Sequence, residues 1–244
     1  MKMISKNTRV IVGDLHGQVN VLRDLLLRFS DAAEIIVAGD FGLGFSEELD
    51  RKYTEIAAEI IEKEFPTVSF IRGNHDNPQA CKQWDKEGIF WLPDGLLENH
   101  TLFIGGAKSH DINHRREGVD WWPDEELTAD QFEEIFENLK GREGRVWRIV
   151  SHDAPKSIKD YLKQRNFQHY ADTTTSDMME VLLSMLPNLK TWIHGHYHTY
   201  HHTHINGVRF IGLAPAHNVP LTSVQINYSM HTFFDDDGQA EVPF

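Results

Sequence analysis

Five short stretches of this 244-residue sequence carry side chains of the types that can hold metal ions. They are Gly13-Asp14-Leu15-His16-Gly17, Gly39-Asp40-Phe41-Gly42, Gly73-Asn74-His75-Asp76, Ser151-His152-Asp153 and Gly195-His196-Tyr197-His198. Their candidate donors are Asp14, His16, Asp40, Asn74, His152, His196 and His198: two carboxylates, four imidazoles and one carboxamide. One ion cannot use that many protein ligands of this kind. Two ions about 3.5–4 Å apart, sharing a bridging carboxylate, can. Mixed oxygen and nitrogen ligation without thiolate suits Mn, Fe or Zn, not calcium or a closed structural zinc site. Two divalent cations, two carboxylates and one hydroxide sum to about +1, a site ready for a phosphate oxyanion.

The elements around these stretches place them together. Residues 8–12, 34–38, 67–71, 146–150 and 191–194 are short apolar, β-branched runs with the composition of buried strands, and each ends in one of the five stretches. Apolar residues at helical spacing follow the first run over 19–29, and an amphipathic helix is expected over about 47–64. Strands alternating with helices imply a largely parallel sheet with crossovers, and ligands bind at the carboxyl ends of such strands. A single Asp-x-His after a strand is more often a cap or turn, but strand ends of this kind recur along the whole chain.

The middle differs. Residues 88–92 and 96–104 read as short strands paired antiparallel about a turn at Pro93-Asp94-Gly95. A charged, irregular insertion follows at about 105–126. Thr128-Ala129-Asp130-Gln131 then forms a capping box that opens a helix to about residue 139. A further helix is expected over about 176–186, and Asn206-Gly207 is a hairpin turn between 201–205 and 208–213. Asp235-Asp236-Asp237-Gly238 reads as a solvated turn.

Composition narrows the function. A net charge of −13 argues against a broad basic face for long duplex nucleic acid, though bound cations would reverse that sign locally for a phosphorylated substrate. No apolar run is long enough to span a bilayer, and the first strand begins too early to leave room for a signal peptide's apolar region. With Cys81 as the lone cysteine, an internal disulfide is excluded, so a reducing, cytoplasmic setting is expected. Without a linker or internal repeat, residues 1–244 read as a single domain.

The ordered set Gly-Asp-x-His-Gly, Gly-Asp-x-Gly, Gly-Asn-His-Asp, isolated His and Gly-His-x-His resembles the calcineurin-like metallophosphoesterase superfamily, its bacterial and phage members above all, and spans Gly13 to His198. The resemblance implies an α/β fold in four layers, αββα, with a central β-sandwich and a dimetal site at its strand ends. It implies two divalent cations, Mn first, with Fe or Zn as alternatives. Asp14, His16, Asp40 and His198 would hold one; Asp40, Asn74, His152 and His196 would hold the other. His75 would be the acid that protonates the leaving group as hydroxide bridging the cations attacks phosphorus in line. The implied substrates are a phosphorylated small molecule, a nucleotide or a short nucleic-acid end, as monoester or diester. The serine/threonine phosphatase branch carries Gly-Asp-x-x-Asp-Arg-Gly where this chain has Gly39-Asp40-Phe41-Gly42-Leu43-Gly44, so that reading is secondary, as is a catalytically silent scaffold.

Other residues have two readings. Asp76 is a candidate for orienting His75. Arg72 would clamp a phosphate with its fork of donors, or make a surface ion pair. Arg115 and Arg116 would grip a second phosphate or lie on a solvated loop. Trp121 and Trp122 would stack on a nucleobase, though packing the loop is the stronger expectation. His201, His202 and His204 are expected at the surface or around the ligands, and His194 at the end of a buried strand. His110, His114 and His217 would border the pocket without ligating, and Cys81 would be a small apolar filler.

Overall fold

The first sheet grows from three apolar runs. β1 (Arg9–Val12), β2 (Glu34–Val37) and β3 (Thr67–Phe70) pair in parallel, with Arg9 opposite Glu34 and Glu34 opposite Thr67. The protein's structure, a computed structural model, describes residues 8–165 and 172–216 together with strand segments at 233–234 and 240–241. Parallel neighbours need crossovers, supplied by α1 (Val19–Arg28) and α2 (Glu47–Glu62). α2 starts where Ser46 Oγ accepts the Leu49 N–H, with Glu47, Glu48 and Asp50 in its first turn, where the helix dipole favours anions. A short α3 (Pro78–Gln83), capped by Asn77, is too brief to show a periodic apolar pattern.

The expected hairpin of 88–92 with 96–104 does not form. β4 (Ile89–Trp91) adds to β3 in parallel, and Pro93-Asp94-Gly95 carries the chain across to a second sheet. There, residues 96–104 divide into β5 (Leu96–Glu98) and β6 (Thr101–Ile104), a tight antiparallel pair. The turn is Asn99-His100, with φ of 45° and 62°. Two consecutive positive φ values suit a two-residue hairpin, but Asn-His lacks the glycine that would have advertised it.

The second sheet continues in parallel through β7 (Arg148–Ser151), β8 (Thr191–His194) and β10 (Val208–Gly212). The edge strand β9 (His201–Ile205) turns back through Asn206-Gly207, both at positive φ. α4 (Ala129–Leu139) opens on the expected capping box at Thr128. α5 (Lys156–Gln164) and α6 (Thr174–Met185) complete the same layer. β11 (Phe233–Phe234) and β12 (Ala240–Glu241) extend the first sheet beyond β1. His217 and the Asp235–Gly238 turn lie outside the described residues.

Alternation along each strand feeds two faces. Val10, Val12, Ile35, Val37, Val68 and Phe70 pack outward under α1 and α2, whereas Ile11, Ile36 and Ile71 point inward. Phe103, Val150, Ile193 and Ile211 meet them from the second sheet, while Ile149, Trp192 and Phe210 pack under α4, α5 and α6. The result is four layers, αββα. Strands buried on both faces explain why their sequences are continuous apolar runs. Cys81 is a buried member of the first outer core.

The histidines of β9 divide. His202 and His204 are exposed, but His201 is buried, contrary to the expectation of a surface or ligand-flanking position. It packs near Tyr161 and against Gly212, where a Cβ would overlap its ring, and its Nε2 lies 3.2 Å from that of His194. Burial holds His194 at about 3 and His201 at about 4, against an ordinary value of 6.5. The folded chain therefore binds fewer protons here than the unfolded chain does. The stability these rings contribute is present above about pH 6.5 and is lost as pH falls toward 4. Urea midpoints of chelator-treated protein should fall between pH 7.5 and 4.5, and His201→Leu should flatten that slope. An unchanged slope would contradict this assignment.

Candidate metal centre

The parallel strands of both sheets deliver their carboxyl ends to one edge of the sandwich. Asp14, His16, Asp40 and Asn74 arrive from the loops after β1, β2 and β3, and His152, His196 and His198 from those after β7 and β8. The loops are laced together by backbone bonds. Leu15 and His16 both donate to the Asp40 carbonyl (3.1 and 2.7 Å), and Gly17 donates to Phe41 (3.0 Å).

Asp14, His16, Asp40 and His198 each offer a donor atom within 4.8 Å of the others. His16 Nε2 and His198 Nε2 are 3.0 Å apart; His16 Nε2 stands 3.6 Å from Asp40 Oδ2 and 3.8 Å from Asp14 Oδ2. Asp14 is fully buried, yet no donor among the described residues is aligned on its Oδ2, 3.0 Å from His198 Nε2. Ligand atoms sharing a cation at about 2.0–2.2 Å stand roughly 3–3.6 Å from one another. The spacing and the orphaned oxygen therefore fit a divalent cation.

A second group meets the other oxygen of Asp40. His152 Nε2 is 3.3 Å from Asp40 Oδ1 and 3.1 Å from Asn74 Oδ1. His152 Nδ1 lies 2.9 Å from the Ala38 carbonyl, which can only accept, so Nδ1 carries the proton and Nε2 is the donor atom left for a cation. The His196 ring centroid is 5.1 Å from that of His152, and its backbone N–H donates to Asp14 Oδ1 at 3.2 Å.

Two features hold these donors in place. His16, Asp40, His196 and His198 all have φ between 48° and 66°, left-handed backbone that costs a residue with a Cβ and recurs where function over-determines the chain. Gly73 and Gly195 bring backbone against the two carboxylates: a Cβ at Gly73 would overlap Asp40, and one at Gly195 would overlap Asp14. Electrostatics also fit. Burial works against the charge on Asp40, but His152, His75 and His16 outweigh it and hold this carboxyl well below the usual range. Burial likewise disfavours a charged His152, and Asp40 reverses that, lifting the imidazole to about 10, so a cation bound at Nε2 must displace a proton there.

The residues around the donors sit in unexpected places. Among the described residues no hydrogen bond joins Asp76 to the His75 ring. Fully buried, Asp76 accepts four backbone N–H groups: Phe41 and Gly73 on Oδ2 (3.1 and 2.7 Å), Gly42 and Leu43 on Oδ1 (2.6 and 2.9 Å). Burial and the charge of Asp40 raise it to about 6, against the pull of those donors. Arg72 is neither phosphate clamp nor surface pair. It is 2% exposed, with Nε on Asp94 (2.9 Å) and Nη1 on the carbonyls of Asp124 and Glu125 (3.1 and 2.6 Å). A guanidinium engaged this way ties down the base of the 105–126 segment.

That segment lies over the donors. Arg115, bound to Asp111 through Nε at 2.6 Å, places Nη1 and Nη2 at 3.1 and 2.9 Å from the two ring nitrogens of His75. Arg116, by contrast, is exposed. His75 donates its backbone N–H to Asp40 Oδ1 at 2.7 Å, and its ring is 4.9 Å from that of His16. Phe45 lies over His75 and meets Trp122 edge-on at 5.2 Å, so buried Trp122 packs the loop. His110 reaches the rim, its ring 5.4 Å from that of His196. Neither Phe45 nor the pairing of Arg115 with His75 has a local signal in the sequence, since both depend on contacts between distant segments.

Comparison with known proteins completes the picture. A family model for calcineurin-like phosphoesterases matches residues 8–200. A dimetal phosphatase from Danio rerio is similar in structure, with a TM-score of 0.55 at 14% identity over 88% of this chain and 90% of that one. GAP50, described as the anchor in the inner membrane complex of Plasmodium, gives 0.53 at 12% identity over 97% and 86%. A putative 5'-nucleotidase from Staphylococcus aureus gives 0.52 at 14% identity over 86% and 48%. No curated protein matches the chain in sequence. No helix among the described residues is long and apolar enough to cross a membrane. Fold, donor set and family model agree: the chain belongs to the calcineurin-like phosphoesterases, metal-dependent hydrolases of phosphoric esters.

Proposed function

We propose that this protein hydrolyses small or sterically accessible phosphate esters, nucleotides and short nucleic-acid ends among them, with two cations sharing Asp40. Asp14, His16 and His198 complete one ligand set; Asn74, His152 and His196 complete the other. The supporting observation is that the two oxygens of Asp40 face different donors, Oδ2 toward His16 and Oδ1 toward His152. Manganese is the first choice for mixed carboxylate and imidazole ligation. When bound, the cations supply the positive charge that holds phosphate oxygens and bring water toward its deprotonated form near neutral pH.

The chain's own residues do the rest. His75, fixed through its backbone to Asp40 and lying beside Arg115, protonates the departing oxygen from its imidazolium form. As the acid His75 must be the imidazolium, which has no acceptor nitrogen, so Arg115 bonds the ring only in its neutral form; burial and Arg115 disfavour the charged ring, and Asp40 opposes them. Arg115 also holds a permanent positive charge beside the incoming phosphoryl group in a protein of net charge −13. That overall charge disfavours long duplex substrates.

Wild-type protein reconstituted with Mn²⁺ should hydrolyse a generic aryl phosphate or bis-aryl phosphate, and the ratio between them assigns monoesterase or diesterase. Asp14→Asn should suppress both activities. His75→Ala should cost about 10²–10⁴-fold on alkyl esters, whose leaving groups need a proton, and less on aryl esters. Wild type inert on both substrates with Mn, Fe and Zn would refute the proposal. The same inertness with two bound ions would favour a scaffold.

A further inference from the structure

An asparagine serves a cation through its carbonyl oxygen, and its amide has two orientations of nearly equal shape. A polar relay outside the donor set selects one of them at Asn74. Asn74 Nδ2 donates to Ser109 Oγ at 3.1 Å, and Ser109 Oγ donates to Glu125 Oε2 at 2.7 Å. Glu125 Oε1 accepts the Ser109 backbone N–H at 2.6 Å. Ser109 is 3% exposed and Glu125 2%, so water does not compete for these bonds.

The relay has a direction. An ionised carboxylate only accepts, so the serine proton points at Glu125 and the serine lone pair is left for Asn74 Nδ2. Asn74 Oδ1 is thereby turned to His152 Nε2 at 3.1 Å. Glu125 is itself anchored, its carbonyl accepting from Arg72 Nη1 at 2.6 Å. Ser109 and Glu125 stand near the two ends of the segment that covers the site, so the same bonds join both stems of that segment to a ligand.

We propose that Ser109 and Glu125 are positioning residues that lock the Asn74 amide with its oxygen toward His152. They set the affinity of the second cation site without touching the cation. The proposal rests on Asn74 belonging to that site. Partners one step removed from a metal commonly change its affinity by about 10–100-fold.

The test is calorimetric titration of Mn²⁺ alone into the chelated 244-residue chain. Wild type should take two ions. Ser109→Ala should weaken one binding step by about 10–100-fold and leave the other within a few-fold. Glu125→Gln, nearly isosteric, should weaken the same step, because its amide must aim a donor at either the Ser109 N–H or the Ser109 hydroxyl. Excess Mn²⁺ should restore turnover to both variants. Chelated Glu125→Gln should melt within a few degrees of chelated wild type, which separates loss of a cation from general damage. Wild-type affinities at both steps in both variants, or equal weakening of both steps, would overturn the assignment. Two ions bound by a wild type that hydrolyses nothing would refute the enzymatic reading and leave this one standing; no ion bound would end both.

Discussion

Asp40→Asn should bind neither cation with wild-type affinity and should lose on the order of 10³-fold or more in kcat/KM. The substitution is chosen because it changes little else. Asparagine tolerates the left-handed backbone that Asp40 adopts at φ 50°, and its carbonyl oxygen can still accept the His75 N–H. What disappears is the negative charge and the ability to present an anionic oxygen to each side. In the proposed arrangement the other donors serve one group each, whereas among the described residues Asp40 presents Oδ2 to His16 and Oδ1 to His152. Asp14→Asn should therefore spare more of the second binding step than Asp40→Asn does. Metal titration and steady-state kinetics on both variants decide it. Two ions bound by Asp40→Asn with wild-type constants would show that no carboxylate is shared.

Asp76→Ala should lower stability by roughly 3–5 kcal/mol, about 10 °C in melting temperature, and abolish activity as a consequence. Four buried N–H groups, from Phe41, Gly42, Leu43 and Gly73, would be left without their acceptor. These groups shape the loop that follows Asp40, and an unmade buried hydrogen bond costs more than a formed one contributes. Asp76→Asn should be intermediate, since its amide sets a donor against two of the four N–H groups. Thermal unfolding of chelated protein is the measurement. An Asp76→Ala variant that melts like wild type but has lost turnover would restore the role of orienting His75.

The contrast between Asp76 and the donors shows what was legible in the sequence. Asp14, His16, Asp40, Asn74, His152, His196 and His198 can be picked out as candidate donors because each follows a short apolar strand, and parallel strands deliver their ends to one edge. The layers were legible for the same reason: doubly buried strands are continuous apolar runs, and the helices between them are amphipathic. Asp76 and Arg72 have no such signal because most of their partners are distant in sequence: three of the four groups on Asp76 come from Phe41, Gly42 and Leu43. Arg72 meets Asp94 and the 124–125 carbonyls, and no local pattern says that a charged residue after a strand will be buried among backbone groups. Asn99-His100 was missed because its turn lacks glycine, and β4 was placed in the wrong sheet because Pro93-Asp94-Gly95 reads alike as hairpin or crossover. The left-handed backbone at His16, Asp40, His196 and His198 had no signal, since tertiary contacts impose it against the residues' own preference.

Gly73 and Gly195 have no reactive group, yet each faces one of the two carboxylates at the centre. The main chain at these points is the mould in which the anionic donors are cast, and its tolerance is smaller than one methyl group. Residues without chemistry of their own are thus as tightly specified as the ligands beside them. The placing of both carboxylates is written into the polypeptide backbone itself.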